Sequence, residues 1–498
     1  MIRTGVAAMK LAKMIEALDS PRTIGNLNIE ITGLAHNSRQ VLKNYLFVAL
    51  RGEKTDGHLF IEDAVNAGAA AVVCEEEDFP VHGAARIVVP DSRRALALLA
   101  DAFYDHPSRA LRVIGVTGTN GKTTVTYLVR NALARAGVSA GLIGTIEYRV
   151  DGRTIPAERT TPDPVLVNSL LAEMVARGCG AAVIEVSSHA IAQKRVEGIH
   201  FDVAVFTNLT QDHLDYHGDM HHYLEVKAKL FERLDEHAGD PRPKRAVVNT
   251  DDPRAPRIIE AARAPVITFG FKPSADVRAT RVRLNTDGCT FTACTPRGDV
   301  PVRLALLGRH NVSNALAAIA VGIALDLDVE DVVAGIADTR AVPGRLEFIA
   351  NDRGLAVVVD YAHTDDALKN VLSSLREITT GRIITVFGCG GDRDPGKRPK
   401  MGAVVNRLSD LSIITSDNPR SEDPDAIIAQ IATAYDAGDG HIVEPDRHAA
   451  IGQAIALARP GDTVLIAGKG HETTQQFRDR TIIFDDREVA RAILAGSP

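Results

Sequence analysis

Lys122 and the hydroxyls of Thr123 and Thr124 end the turn Gly115-Val116-Thr117-Gly118-Thr119-Asn120-Gly121, a combination that suits one kind of chemistry. Glycines let backbone N–H groups crowd a phosphate, a lysine adds a cation, and a threonine hydroxyl offers Mg²⁺ an oxygen. A short apolar strand, Arg112–Val116, leads into the turn and an amphipathic helix, Val125–Ala136, leads out of it. Strand, loop and helix N-terminus together predict a nucleotide phosphate cradle rather than a plain glycine turn capping a helix. One detail departs from the common pattern. The usual P-loop has a glycine where this chain has Val116.

Further reactive groups stand at the ends of other predicted strands. Ala181-Ala182-Val183-Ile184-Glu185 is an apolar run closing in an acid, followed by Val186-Ser187-Ser188-His189. An acid facing a phosphate loop is a metal ligand in many Mg·ATP enzymes, and it is equally a loop-capping group. The stretch Asn208-Leu209-Thr210-Gln211-Asp212-His213-Leu214-Asp215-Tyr216-His217 crowds polar rings and acids into one turn. Such a turn binds something or is simply solvated, and solvation is the plainer reading for Asp215 and His217. Asn249-Thr250-Asp251-Asp252 lacks the lysine of a GTPase base-recognition motif, which argues against a GTP switch. Taken by itself, Lys227 reads as an ordinary lysine on a helix surface.

The elements that must position these groups form an α/β pattern. Residues 1–108 alternate short apolar runs (Leu46–Leu50, Ala70–Val73, Arg86–Val89) with helical stretches (His58–Ala67, Ser92–Tyr104), and Asp105-His106-Pro107-Ser108 reads as a linker. A strong βαβ rhythm follows, with strands predicted at 112–116, 138–143, 181–186, 202–207 and 246–248. The intervening helices fall at 123–136, 164–177, 220–234 and 313–324. This implies a parallel sheet with ligands at the strands' carboxyl ends. Residues 275–305 predict an antiparallel appendage. After Val342-Pro343-Gly344-Arg345 a third run begins, with strands at 355–360, 382–387, 411–415 and 462–466 and helices at 365–376, 396–407, 424–435 and 446–458. The domains are therefore expected at 1–108, 109–342 and 343–498.

Composition bounds the function. The chain has 498 residues, 45% of them hydrophobic and 24% charged, with a net charge of −7 that gives nucleic-acid binding no electrostatic support. Its five cysteines are scattered without a CxxC pair, which predicts reduced thiols and no zinc site. No apolar run is long enough for a membrane span, and Met1–Lys10 lacks a secretion-signal core. Met9 opens a stronger helical pattern (Leu11, Met14, Ile15, Leu18) and is a candidate start. A cytoplasmic enzyme is the expectation.

Several motifs together resemble the Mur ligase family along the whole chain and in its three-domain order. They are Gly118–Thr124, Glu185-Val186-Ser187-Ser188-His189, Asn208 with Asp212-His213, Tyr223 with Lys227, Gly308 with His310-Asn311-Val312 and Asn314, and Pro343-Gly344-Arg345 with Glu347. The family's phosphate loop also lacks the first glycine. The resemblance implies an α/β fold with a central P-loop ATPase domain and a Rossmann-like C-terminal domain. It further implies a monomer acting on small molecules, away from nucleic acid and membrane, in the cytoplasmic steps of peptidoglycan synthesis. Gly118, Thr119, Asn120, Gly121, Lys122, Thr123 and Thr124 would hold the phosphates of ATP. Thr123, Glu185, His213 and a CO₂-derived carbamate on Lys227 would bind Mg²⁺; a free ammonium would repel the ion, whereas a carbamate offers it an anionic oxygen. Asn311, Arg345, Asp360 and His363 resemble the remaining ATP contacts, and Lys122, Lys227, Glu185 and His213 the catalytic set. His310 stands where an aromatic is common, and Asp365 where proline is common.

The same resemblance points to the substrates. Gly388-Cys389-Gly390-Gly391-Asp392-Arg393, Thr415-Ser416-Asp417-Asn418-Pro419-Arg420 and Gly468-Lys469-Gly470-His471-Glu472 each follow a predicted strand and can meet on one rim. Asp-Asn-Pro-Arg is similar to the signature of family members that add meso-diaminopimelate, with Arg393, Asp417, Asn418, Pro419, Arg420, Gly468 and Glu472 as its contacts. Chemistry agrees, because diaminopimelate is lysine with one more carboxylate and a guanidinium fork reads a carboxylate in two hydrogen bonds. A surface ion pair is the alternative for Arg420. Ser38, Glu53, Lys54 and Thr55 match contacts to the uridine diphosphate, with Asn37 where the family has Asp. Thr160, Thr161, Ser187, Gln193 and Arg195 match contacts to the muramoyl peptide, with Arg159 beside them where other members can have Asn.

The expected activity is ATP-dependent addition of meso-diaminopimelate to UDP-N-acetylmuramoyl-L-alanyl-D-glutamate through an acyl phosphate. A folylpolyglutamate synthase shares the ATP chemistry but needs neither the first domain nor the Asp-Asn-Pro-Arg motif. A P-loop switch or transport ATPase would release phosphate without an amino-acid acceptor.

Overall fold

The computed structural model describes residues 8–52, 55–76, 83–235, 242–285, 288–436 and 440–496. Three large sheets organise them. The first has five strands in the order Arg22–Ile24, Ala85–Val88, Ala69–Cys74, Tyr45–Val48, Gly33–Ala35, parallel except for the edge strand Arg22–Ile24. Helix Ser92–Phe103 covers it. Asp91 caps that helix by accepting from the Arg94 N–H at 2.9 Å, and its Leu96, Leu99 and Phe103 enter the core.

The central sheet has eleven strands, with Arg112–Thr117 in its middle between Ala181–Glu185 and Val203–Phe206. Register matters here. Glu185 pairs with Val116, and Phe206 pairs with Thr117, so the glycine turn, Glu185 and the loop after Phe206 leave the sheet on one rim. Residues 277–304 correct an expectation. They are antiparallel among themselves, but Val277–Asn285 pairs in parallel with Val266–Gly270, so they extend the main sheet and are no appendage. A second hairpin, Glu147–Val150 with Arg153–Pro156, extends the other edge.

The third sheet has six strands in the order Glu347–Ile349, Ala356–Asp360, Thr463–Ala467, Ile383–Phe387, Leu411–Ile414, His441–Val443; only the first is antiparallel. Asp360 pairs with Ala467 and Phe387 with Ile414. The loops at 361–364, 388–393, 415–420 and 468–472 therefore rise from one edge, as parallel α/β sheets require of a ligand site. No described helix is long and apolar enough to cross a membrane. All five cysteines are free and buried.

Candidate functional site

The glycine turn is held open by backbone conformations that side chains resist. Gly118 has φ 147° and Gly121 φ 88°, and a Cβ on Gly118 would lie 1.9 Å from Thr207 Oγ1. Gly121 starts helix Lys122–Arg135, whose Val125, Leu128, Val129 and Leu133 pack into the core and fix the helix N-terminus behind the turn. Two amines converge on the turn. Lys122 Nζ donates to the Gly118 carbonyl at 3.0 Å and to the Thr119 carbonyl at 2.8 Å, and Lys227 Nζ donates to the same Gly118 oxygen at 3.1 Å. Burial, reinforced by the nearby Lys122, pulls the Lys227 amine well below the usual lysine range, and burial likewise lowers Lys122.

Lys227 is only 1% exposed, which overturns its reading as a surface residue. Helix Met220–Glu232 buries Tyr223, Val226, Lys227, Leu230 and Phe231, and this spacing of three and four residues puts the lysine on the apolar stripe. That stripe was a legible signal. His217 also proves buried rather than solvated: it stacks 4.9 Å from the Tyr223 ring and bonds Ser188 Oγ through Nε2 at 2.9 Å.

Glu185 is fully buried and its carboxylate is ringed by hydroxyls. Thr123 donates to Oε2 at 3.0 Å, the Thr145 N–H to Oε1 at 2.8 Å, and the Thr145 hydroxyl lies 2.9 Å from Oε2 and 3.1 Å from Thr160 Oγ1. Sequence reasoning missed Thr145, although it follows the end of strand Ala140–Ile143 on the same rim. Behind Thr160 runs a connected cluster. Thr161 donates to the Glu185 carbonyl at 2.6 Å, Ser187 N–H donates to Thr161 Oγ1 at 3.1 Å, and Arg195 binds the Thr161 carbonyl at 2.8 Å and Gln193 Oε1 at 2.6 Å.

From the third sheet, Arg345 reaches across to donate to Thr123 Oγ1 at 3.3 Å. Its guanidinium lies 4.5 Å over the Tyr361 ring, and its buried Nε has no partner. Asn120 Nδ2 donates to Asp366 at 3.1 Å, a second tie between the two sheets' lobes. Asp360 accepts from the N–H groups of Leu346 at 2.7 Å and Ala362 at 2.8 Å, so its carboxylate also pins the turn that carries Arg345.

Two cavities result. One, about 310 Å³, is lined by Thr119, Asn120, Gly121, Lys122, Thr123, Thr124, Thr160, Glu185, His310, Asn311, Arg345 and Asp360. The other, about 360 Å³, is lined by Arg393, Asp417, Asn418, Arg420, Gly468 and Glu472. Asp212, His213, Tyr361, His363 and Thr364 border both. Ser38 and Thr55 lie in the first lobe, outside both cavities, and Glu53 and Lys54 fall outside the described residues. Pro419 does not line either cavity; its carbonyl accepts from the Glu422 N–H at 3.1 Å and shapes the turn.

The second cavity is built from held charges. Asn418 Nδ2 donates to Glu472 at 2.8 Å, and the buried Lys469 amine bridges Asn418, Glu472 and the Thr474 carbonyl at 3.2, 3.2 and 2.6 Å. Burial works against ionising Asp417, but Lys469 and Arg447 outweigh it and hold its pKa below the usual value. Arg420 Nη1 donates to the Gly391 carbonyl at 2.7 Å, and no carboxylate among the described residues pairs with it, so the ion-pair alternative is not what forms.

A staple behind this cavity escaped sequence reasoning. Arg447 and Asp486 are both fully buried and pair through two 2.7 Å hydrogen bonds, while Arg447 also donates to the carbonyls of Ser416 at 3.3 Å and Ala467 at 2.9 Å. It therefore fixes the residues next to Asp417 and Gly468. Arg447→Met strands a buried carboxylate and is expected to destabilise this lobe by ~3–5 kcal/mol, with much of the loss recovered on adding Asp486→Leu. Urea unfolding checks this; a single variant as stable as the parent contradicts it.

Burial holds the His310 and His217 rings down to about 4 and, with Arg345 and Arg487 adding to it, His471 down to about 3. A base whose folded pKa lies below its unfolded value binds fewer protons when folded. Its stability contribution is complete above about pH 6.5 and is lost as pH falls toward the folded value. The unfolding midpoint is expected to begin dropping between about pH 6.5 and 5.5, above the range in which carboxylates protonate, and calorimetry showing a flat profile there contradicts the assignment.

Among the described residues no group of three or more His, Cys, Asp or Glu is gathered to hold a metal. Thr123 and Glu185 nevertheless form a pair of hard oxygen donors beside the phosphate loop, the donor type that Mg²⁺ takes. His213, in a left-handed turn at φ 54°, lines the same cavity, whereas Lys227 lines neither cavity and bonds the Gly118 carbonyl of the turn.

Comparison with known proteins adds an independent line. Residues 30–104 match the Mur ligase family catalytic domain, 116–322 the Mur ligase middle domain, and 344–470 the Mur ligase glutamate ligase domain. A UDP-N-acetylmuramoyl-L-alanyl-D-glutamate–2,6-diaminopimelate ligase of Geobacter metallireducens is 49% identical, over 97% of this chain and 98% of that one. A ligase of the same name from Geobacillus kaustophilus is 45% identical, over 97% and 99%. A solved structure under that name superposes with a TM-score of 0.70 at 32% identity, covering 98% of this chain and 99% of the other.

Proposed function

The chain belongs to the Mur ligase family, and on that premise we propose that it joins meso-diaminopimelate to UDP-N-acetylmuramoyl-L-alanyl-D-glutamate with ATP, in peptidoglycan precursor synthesis. The observation that carries this reading is the common wall of the two cavities. A phosphate cradle and a pocket of paired charges meet at Asp212, His213, Tyr361, His363 and Thr364, so an activated acyl group and an incoming amine can be held side by side.

The chain's share of the chemistry follows from its fixed groups. Lys122, the turn amides and the Arg345 guanidinium offer N–H donors to the phosphates, where charge builds during transfer. The D-glutamate carboxylate takes the terminal phosphoryl group, giving ADP and an acyl phosphate. The diaminopimelate amine then attacks the acyl carbon and phosphate leaves. Thr160, with Thr161, Ser187, Gln193 and Arg195 behind it, orients the peptide arm, while Ser38 and Thr55 of the first lobe meet the uridine diphosphate. Glu472 and Asp417 receive the ammonium groups and Arg420 the distal carboxylate. Thr123, Glu185, His213 and a carbamate on Lys227 would hold Mg²⁺, which neutralises phosphate charge. What supports the carbamate is a buried amine whose surroundings disfavour its charged form, competing with Lys122 for one carbonyl. On this reading the chain works as a monomer in the cytoplasm.

Phosphate release with ATP, Mg²⁺ and the muramoyl dipeptide tests the reading. It should depend on meso-diaminopimelate and be far slower with L-lysine. Release that needs no amino acid would favour a motor or switch ATPase, and equal rates with both amino acids would remove the substrate assignment.

A further inference from the structure

Resting on the assignment of the central cavity to ATP, we propose that His310 selects adenine, its Nε2 lone pair accepting a hydrogen bond from the exocyclic 6-amino group of the base. His310 begins helix Arg309–Ala324 and lines the cavity together with Phe269, Ala367 and Val371. Those apolar side chains suit the flat face of a purine, whereas the glycine turn, Lys122 and Arg345 offer the N–H groups that suit phosphate.

The tautomer follows from counting hydrogens. His310 Nδ1 lies 3.2 Å from Ser374 Oγ, and the Ser374 hydroxyl donates to the Asn370 carbonyl at 2.8 Å. A carbonyl cannot donate, so with the hydroxyl hydrogen on Asn370 the contact to Ser374 is made by Nδ1–H. A neutral imidazole has one N–H, which leaves Nε2 as an acceptor. Burial keeps the ring neutral at physiological pH. Nε2 has no partner among the described residues and is not an orphaned buried atom; the open space that His310 borders is the nucleotide cavity. The neighbouring amide cannot substitute easily, because Asn311 Nδ2 donates to the Leu307 carbonyl at 2.8 Å and its Oδ1 accepts from Asn314 at 2.9 Å. Adenine presents a donor at position 6. Guanine presents an oxo group there, which would set lone pair against lone pair.

The test is equilibrium binding of ATP, GTP and purine riboside triphosphate, the last being ATP without its 6-amino group, to the full-length parent, His310→Phe and His310→Gln. The parent is expected to favour ATP over the other two by roughly tenfold to hundredfold. His310→Phe keeps a ring but no lone pair, and should bring ATP and purine riboside triphosphate within about threefold of each other, chiefly by weakening ATP. His310→Gln retains an acceptor and should restore part of the preference. Nucleotide KM values in turnover should follow the same ratios, with kcat changing less. A purely structural role would weaken all three nucleotides alike. An unchanged ATP preference in His310→Phe overturns the proposal while leaving the ATP site intact; a parent that binds no ATP overturns both.

Discussion

Lys227→Ala is expected to lower kcat by about 10³-fold or more while leaving the fold and nucleotide binding in place. The amine is buried on an apolar stripe between Tyr223, Val226, Leu230 and Phe231, so alanine removes a polar group that burial disfavours, and the unfolding midpoint should hold or rise. Activity should fall instead because the proposed carbamate oxygen is lost. Three measurements separate this account from a folding defect. The variant's thermal midpoint should match or exceed the parent's. Activity of the parent should fall in buffer freed of CO₂ and return with bicarbonate. A small carboxylate such as formate should partly rescue the alanine variant. A variant keeping more than about a tenth of parental turnover removes the carbamate from the mechanism.

Arg420→Ala is the second large effect, and it concerns choice rather than rate. Arg420 holds a left-handed backbone at φ 52°, its N–H donates to the Gln476 carbonyl at 3.0 Å, and Nη1 is anchored on the Gly391 carbonyl at 2.7 Å. One edge of the fork is thus fixed by the protein and the remaining donors are left for the substrate. Lysine lacks the carboxylate that would satisfy them, and a site built around such a group can discriminate by ~10⁴ or more. The ratio of kcat/KM for diaminopimelate over lysine should collapse by about 10³-fold in Arg420→Ala. Arg420→Lys should recover only part of it, because a point charge does not reproduce a planar fork. Unchanged preference in the alanine variant would move the specificity element elsewhere, with Arg393 next in line.

The catalytic rim could be read from sequence because its determinants are local. A strand, a glycine turn and a helix start lie within about twenty residues around Lys122, and the acid at Glu185 ends a run whose apolar character marks it as a central strand. The departures are also legible once geometry is known. Asp365 is the first residue of helix Asp365–Arg376, behind the cap formed by Thr364, and an acid there suits the helix dipole at a position where proline is equally at home. What stayed hidden depends on pairing across long separations. Residues 277–304 look like an independent hairpin unit because nothing local shows that Val277 will lie against Phe269 in the main sheet. Arg447 and Asp486 look like surface charges because each is polar and 39 positions from the other. Lys227 lies between these cases. Its helical spacing announced burial, but lysine is so seldom buried that residue type outweighed position.

The wall shared by the two cavities has a thermodynamic consequence. Asp212 and His213 come from one lobe, and Tyr361, His363 and Thr364 from the other. A rotation that parted the lobes would open both chambers at once, putting nucleotide and amino acid behind a single gate. Closure is then one equilibrium that either ligand pulls in the same direction. By linkage, the factor by which nucleotide tightens amino-acid binding equals the factor by which the amino acid tightens nucleotide binding. The two occupants guard one another, and the acyl phosphate made on the D-glutamate carboxylate is sheltered from water best when both places are filled.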